Sequence, residues 1–322
     1  MDLTISILIY DNDQYVNYVN RLLNSINKNL KNYKTLLLID DRRNQNISLD
    51  KIFDLHKFNY EIIKHGENKG ILQGYLSSME YSKTDWLWIL DMDDEVTSFD
   101  FDTIYLKNNA DIIYFKNAYN NMKRDYENIP NAEIFIDNKF FKFLGKSSFE
   151  FEQIFKETKS NSINLIVNNL SDKYYLYFNY EFFFLPVYEK ILNVNYCKKY
   201  ILRNDFSKFG KFNFSADILI DLIIYDNLKS ILVINECLPY IHYHYNSEKY
   251  FPTIYRNGMY IPNTNVIKEV KQSWDILNEH LNDILYNKYF KILWIRRLVE
   301  SYAYSGLDFT KYNTNLKKED TK

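Results

Sequence analysis

Trp86-Leu87-Trp88-Ile89-Leu90-Asp91-Met92-Asp93-Asp94-Glu95 is the stretch from which the rest of the chain is best read. Its five leading apolar residues are too few for a helix of ordinary length and suit a strand buried on both faces. That strand stops at Asp91, Asp93 and Asp94. Carboxylates gathered at one strand end repel one another and lose hydration. A divalent cation with phosphate oxygens offsets that cost, and hard oxygen ligands suit Mg²⁺ or Mn²⁺. The carboxyl ends of strands in an α/β sheet are also where ligands bind. The stretch therefore reads as a metal and phosphate site, with a plain acidic turn as the alternative.

Upstream the same pattern repeats. Leu3 to Tyr10 is apolar and β-branched enough for a first buried strand, followed by turn and cap residues Asp11-Asn12-Asp13. Val16, Val19, Leu22, Leu23, Ile26 and Leu30 fall at helical spacing and give one apolar stripe to lay on a sheet. Thr35 to Ile39 is a second apolar run, and it too stops at acids, Asp40-Asp41. Tyr60 to Ile63 reads as a third strand, His65 to Gly70 as a loop, and Leu72 to Tyr81 as a helix leading to Trp86. Strand and helix alternating in this way imply a parallel sheet with right-handed crossovers, the nucleotide-binding half of a doubly wound α/β fold.

Downstream, Ile112 to Phe115 and Ile231 to Ile234 suit strands, Ala216 to Tyr225 a helix, and Asp125 to Asn131 and Asn204 to Asn213 loops. Tyr174 to Tyr188 is densely aromatic and suits core, an acceptor groove or a membrane-touching surface, with core the favoured reading. Pro239 to His244 alternates, which places His242 and His244 on one face of an extended segment. From Thr264 a helical stripe runs through Ile267, Val270, Trp274, Leu277, Leu281 and Ile284, and a second helix follows at Lys288 to Ala303. These helices could pack on the main domain, form an oligomer seam or lie on a membrane surface. Leu316 to Lys322 is a charged tail.

At 322 residues the chain is long enough for one large domain or a domain with an appendage. With 40 basic and 42 acidic residues, nothing calls for a nucleic-acid partner. Cys197 and Cys237 have no Cys or His at zinc-finger spacing. They read as reduced core thiols of a cytosolic protein, with one distant disulfide as the alternative. No signal peptide and no spanning helix is expected, since no apolar run approaches about 18 residues.

Three ordered motifs together resemble the family 2 glycosyltransferases of GT-A fold: Leu38-Ile39-Asp40-Asp41 after a first strand and helix, Asn68-Lys69-Gly70-Ile71, and Ile89-Leu90-Asp91-Met92-Asp93-Asp94. A weaker echo follows in Tyr196-Cys197-Lys198-Lys199-Tyr200 and Ser215-Ala216-Asp217, so the likeness reaches about residue 250. The resemblance implies a GT-A domain over residues 1–250 and a helical extension over 251–322. It further implies an inverting, metal-dependent enzyme that moves a sugar from a nucleotide-sugar donor, a UDP-sugar above all. The acceptor would be a hydroxyl of a saccharide or glycolipid, for a surface polysaccharide assembled in the cytoplasm, at the inner membrane face if the protein makes peripheral contact. By the same resemblance Asp91 and Asp93 hold the diphosphate through Mn²⁺ or Mg²⁺. Asp94 orients the turn, Asp40 and Asp41 meet the uracil or ribose edge, Tyr10 stacks on the base, and Asn68 and Gly70 line the pocket. Asp217 is the expected general base, a first-turn helix carboxylate being the plain alternative. His242 or His244 completes the metal shell, or is structural. Lys198 touches phosphate, or is a solvated lysine.

The sequence departs from the family where Gly74-Tyr75-Leu76 replaces Ala-Arg-Asn and where Ala216 replaces Glu. Two rivals stand beside this reading. One is a haloacid-dehalogenase-like phosphatase with Asp91 as nucleophile and Asp93 as acid/base. The other is a non-catalytic module that binds nucleotide sugars.

Overall fold

The computed structural model describes residues 2–11, 14–97, 109–115, 162–166, 190–213, 216–234, 240–241, 253–256, 259–262 and 264–284. The expected features at Asp125 to Asn131, Tyr174 to Tyr188, Lys288 to Ala303 and Leu316 to Lys322 lie outside these residues, as does Cys237. The chain divides into two compact units. The first comprises Met1–Lys123, Lys146–Asp205 and Gly210–Tyr243; the second comprises Arg124–Gly145, Phe206–Phe209 and His244–Lys322.

In the first unit the strands are β1 (Leu3–Ile9), β2 (Thr35–Asp40), β3 (Tyr60–Lys64), β4 (Trp86–Asp91), β5 (Glu95–Val96), β6 (Ile112–Phe115), β7 (Ser162–Ile166), β8 (Lys190–Asn193), β9 (Ser230–Ile234) and β10 (Tyr240–Ile241). Its helices are α1 (Tyr15–Asn29), α2 (Leu49–Ile52), α3 (Ile71–Tyr81) and α4 (Ala216–Asn227). One eight-stranded sheet has the order β3-β2-β1-β4-β8-β6-β9-β7. β1 to β4 are mutually parallel, β8 runs opposite to its neighbours β4 and β6, and β7 runs opposite to β9. A mostly parallel sheet flanked by helices, the GT-A arrangement, is thus the fold expected from the strand and helix alternation.

The reason lies in the apolar runs. Every residue of β1 is buried, and β4 is buried from Trp86 to Leu90, as central parallel strands covered on both faces must be. The few polar atoms in these strands find partners on neighbouring elements. Ser6 Oγ donates to Ser78 Oγ at 2.8 Å, and Ser78 Oγ donates to the carbonyl of Gly74 at 2.9 Å. α3 packs on β1, β2, β4 and α4. Its approach to β1 needs a glycine: a Cβ on Gly74 would stand 2.4 Å from Leu8 Cδ1. Gly74→Ala is expected to destabilise the protein by about 1–3 kcal/mol through overpacking, read from urea or thermal unfolding. An unchanged or raised stability would show that Leu8 moves aside freely.

α1 buries Tyr18, Val19, Leu22, Leu23 and Ile26, close to the expected stripe. Val194–Tyr196 forms one helical turn that widens through Cys197–Ile201, and Cys197 is buried there with its thiol pushed far above the ordinary range by desolvation.

The second unit holds an antiparallel pair, β11 (Thr253–Arg256) with β12 (Met259–Pro262), and the long helix α5 (Thr264–Ile284). The extension expected over 251–322 was helical from Thr264, where α5 begins, and the strand pair precedes it. The two strands pair antiparallel, Thr253 opposite Pro262 and Arg256 opposite Met259. In this unit Lys208 pairs with Asp283 at 2.8 Å, and Phe209 packs edge-on against His280.

Candidate active site

The parallel register brings the acidic strand ends to one edge of the sheet. Ile9 pairs with Asp40, Leu8 with Asp91, and Asp40 with Lys64, so β1 separates the tips of β2 and β4 by a single strand. The chain leaves β1 towards β2 on one side and reaches β4 on the other, which makes the β1–β4 boundary the switch point where α/β sheets bind ligands. Tyr10 lies at the end of β1 there, half-buried.

The turn after β4 is built with some care. The buried Asp94 carboxylate accepts the Asp91 N–H at 2.9 Å, and the Asp94 N–H donates to the Asp91 carbonyl at 3.1 Å. Met92 is fully buried, while Asp91 and Asp93 on either side of it are only half-buried. One edge of α1 fixes this segment from outside. The Arg21 guanidinium donates to the Asp93 carbonyl, Ser25 Oγ accepts the Val96 N–H at 2.9 Å, and Asn29 Nδ2 donates to the Val96 carbonyl at 2.7 Å. Residues 21, 25 and 29 share one helix edge because they are spaced by four. β5 continues from the turn and pairs with β10.

Asp40 and Asp41, expected to meet the nucleotide, have internal partners. Asp40 is fully buried and receives a two-pronged bond from Arg42, Nε to Oδ1 and Nη2 to Oδ2, each 2.8 Å. The same guanidinium donates to the Ile47 carbonyl at 2.9 Å and to the Tyr15 hydroxyl at 3.2 Å. Arg42 thus neutralises a carboxylate that burial alone would strongly penalise. Asp41 binds the loop after β3. Its Oδ1 accepts the Lys69 N–H at 2.7 Å, its Oδ2 accepts the Gly70 N–H at 3.0 Å, and its carbonyl accepts Asn68 Nδ2 at 2.7 Å. Asn68 and Gly70 therefore join the β2 tip to the start of α3.

Gly70 has φ +92°, and a Cβ there would stand 2.6 Å from Asn213 Oδ1. That closeness lets residues 212 and 213 cap α3: Asn213 Oδ1 accepts the Ile71 N–H at 3.2 Å, and the Phe212 carbonyl accepts the Leu72 N–H at 3.0 Å.

Asp217 sits half-buried in the first turn of α4. Tyr75, buried on α3 where α3 meets α4, links it to the strand tips. Burial pushes the Tyr75 hydroxyl well above the phenol range, and the charges of Asp91 and Asp217, then Tyr10 and Asp221, push it the same way. One turn on from Asp217, Asp221 takes both carboxylate bonds of the fully buried Lys190 at 2.9 and 3.0 Å, and Lys190 Nζ lies 5.5 Å from the centre of the Tyr225 ring. Sequence reading missed this pair, because a lysine closing a long aromatic segment carries no signal of burial.

Lys198 donates to the Ser82 carbonyl at 3.3 Å, ahead of β4 and so at the sheet edge opposite Asp91, which places it away from any phosphate at the strand tips. His242 and His244 lie outside the described residues.

Residues 4–145 match the family described as Glycosyl transferase family 2. This part of the chain, under half of its length, is similar to that family. The glycosyltransferase assignment displaces the phosphatase reading of Asp91. No curated protein matches the sequence. Among solved structures, S. aureus TarS residues 1–349 in complex with UDP-GlcNAc is similar at 14% identity and a TM-score of 0.53, covering 95% of this chain and 74% of that one. The same TarS fragment in complex with UDP is similar at 14% identity and a TM-score of 0.51, covering 95% and 73%. At this identity the likeness concerns the fold.

The residues after β4 suit a divalent ion. Two half-buried carboxylates with a rigid turn beneath them form a hard-oxygen pair of the kind Mg²⁺ or Mn²⁺ shares with substrate phosphates and water. Among the described residues no three His, Cys, Asp or Glu side chains gather into a metal cage. Nor is any helix among them long and apolar enough to cross a membrane.

Proposed function

We propose that this glycosyltransferase moves a sugar from a UDP-sugar to a hydroxyl of a saccharide or glycolipid acceptor, with inversion, in the building of a surface polysaccharide. What supports the proposal is that the charges of Asp91, at the β4 tip, and Asp217, on α4, both act on the buried Tyr75 of α3, which packs on α4. A diphosphate-holding carboxylate and a candidate base then face one reaction space. Residues 1–250 make the transferase domain in this proposal, and 251–322 an extension through which membrane contact or oligomerisation would occur.

Asp91 and Asp93 would hold Mn²⁺ or Mg²⁺, which when bound neutralises charge on the departing diphosphate. Asp94, with Arg21, Ser25 and Asn29 of α1, keeps those two carboxylates in place. Asp217 takes the proton from the acceptor hydroxyl as the new bond forms. Tyr75 stands where the family carries arginine, so a neutral hydroxyl within the influence of both carboxylates replaces a cation. Tyr10 would lie against the base at the switch point. Asp41 serves the donor by holding the Asn68–Gly70 loop, and Asp40 by holding Arg42, rather than by bare contact.

The test is a thermal-shift screen of nucleotide sugars and free nucleotides with and without Mn²⁺. A ligand at a hundredfold excess over Kd adds about 2.7 kcal/mol to apparent stability. UDP and one UDP-sugar are expected to raise the midpoint only with the cation. Equal shifts with all nucleotides, or none with any, overturn the donor assignment.

A further inference from the structure

We propose that His65 is a positioning residue for the nucleotide end of the donor, fixing the Asp41 carboxylate so that the Asn68–Gly70 loop keeps its shape. It would set affinity for the nucleotide and leave the rate of transfer unchanged. This rests on the UDP-sugar reading above.

His65 follows β3 directly and is bonded at three points. Its N–H donates to the Asp40 carbonyl at 3.1 Å, Nδ1 lies 2.7 Å from Asp41 Oδ1, and Nε2 lies 2.9 Å from Ser77 Oγ. Its side chain is 5% exposed and that of Asp41 is 2% exposed, so water does not substitute for the ring. The order Ser77–His65–Asp41 has the spacing of a hydrolytic triad. Ser77, however, is only 3% exposed on the inward face of α3 and offers no face to a substrate. The ring's role is therefore directed at Asp41.

With one ring nitrogen held by Ser77 and the other by Asp41, the imidazole cannot turn. Asp41 Oδ1 in turn cannot swing away from the Lys69 N–H, nor Oδ2 from the Gly70 N–H. The network extends on both sides: Gln73 Nε2 reaches Ser77 Oγ at 3.4 Å, and Gln45 Oε1 accepts the Gly66 N–H at 3.2 Å while Gln45 Nε2 donates to the Asp40 carbonyl at 3.0 Å. Apart from Ser77 on α3, the partners of His65 are the end of β2 and the residue that follows it.

The amide of asparagine reaches the place of Nδ1, and that of glutamine the place of Nε2. His65→Asn therefore keeps the Asp41 bond and gives up Ser77, while His65→Gln does the reverse. UDP titrated calorimetrically in Mn²⁺ into wild type, H65N, H65Q and H65A reads the difference. H65N is expected to bind within about threefold of wild type, and H65Q and H65A about tenfold more weakly, the scale of one hydrogen bond to a charged group. In the transfer assay the loss should fall on the donor KM and spare kcat.

H65Q binding as tightly as H65N, or H65A binding as tightly as wild type, overturns the proposal. Should H65A fail to fold, the Asn and Gln variants, each retaining one of the two bonds, still give the comparison. A wild type that does not bind UDP overturns the donor reading and this inference with it. A wild type that binds while all variants match it overturns this inference alone.

Discussion

Asp217→Asn is expected to lower kcat by about a hundred- to ten-thousandfold, the range that general-base catalysis supplies, while leaving UDP affinity unchanged. Asparagine has the shape of aspartate but cannot accept the acceptor's proton. A half-buried carboxylate in the first turn of a helix contributes up to about 2 kcal/mol through the helix dipole, a loss that urea unfolding reads separately from the rate. Stability and rate thus separate the base from a mere helix-end charge. α4 is well fixed for this task. Asp217, Asp221 and Tyr225 recur every fourth residue and share one helix face, and Lys190 binds the second and lies over the ring of the third. Breaking a buried pair of this kind is costly, so the helix resists rotation and the place of Asp217 in its first turn is fixed. The measurement is UDP release from the nucleotide sugar selected by thermal shift. Turnover within about threefold of wild type, far below the contribution of a general base, would remove Asp217 from the reaction.

The strand ends were legible because buried parallel strands are mostly apolar and stop where the chain meets water and ligand. Leu3 to Tyr10, Thr35 to Ile39 and Trp86 to Leu90 obey that rule, and the register sets their acidic ends side by side. What lies between β4 and β6 was not legible. The inserted strand, Lys190–Asn193, comes from about a hundred residues further along, is four residues long and begins with a lysine. Its place depends on a partner, Asp221, that no local pattern announces. The same holds at Asp40. An acid at a strand tip reads as ligand-facing, yet Arg42, two residues on, folds back and occupies both oxygens. Arg42 lies past the end of β2, where strand alternation no longer holds, so only the loop's own path reveals the contact. The α1 edge of Arg21, Ser25 and Asn29 did carry a signal, polar residues spaced by four beside the apolar stripe. It was hidden because such an edge usually faces solvent.

Asp93→Asn is expected to abolish the gain in UDP affinity that Mn²⁺ confers and to cut turnover by about a hundredfold or more, since a bound metal supplies several kcal/mol of charge stabilisation. Asp94→Asn, one residue away, should lose far less. The two carboxylates differ in what surrounds them. Asp94 is fully buried and its oxygen accepts the Asp91 N–H, a bond that an asparagine oxygen also makes. Asp93 is half-buried, and its backbone carbonyl accepts a bond from Arg21. Replacing the Asp93 side chain removes charge from the proposed cation site, while the bonds of Arg21, Ser25 and Asn29 to the backbone of this segment remain. Calorimetry of UDP with and without Mn²⁺ separates the two contributions, because the metal-free affinity reports the pocket and the difference reports the carboxylates. Equal losses in the two variants would mean that turn shape, not ligand charge, governs binding. A D93N protein with full Mn²⁺ dependence would place the cation elsewhere.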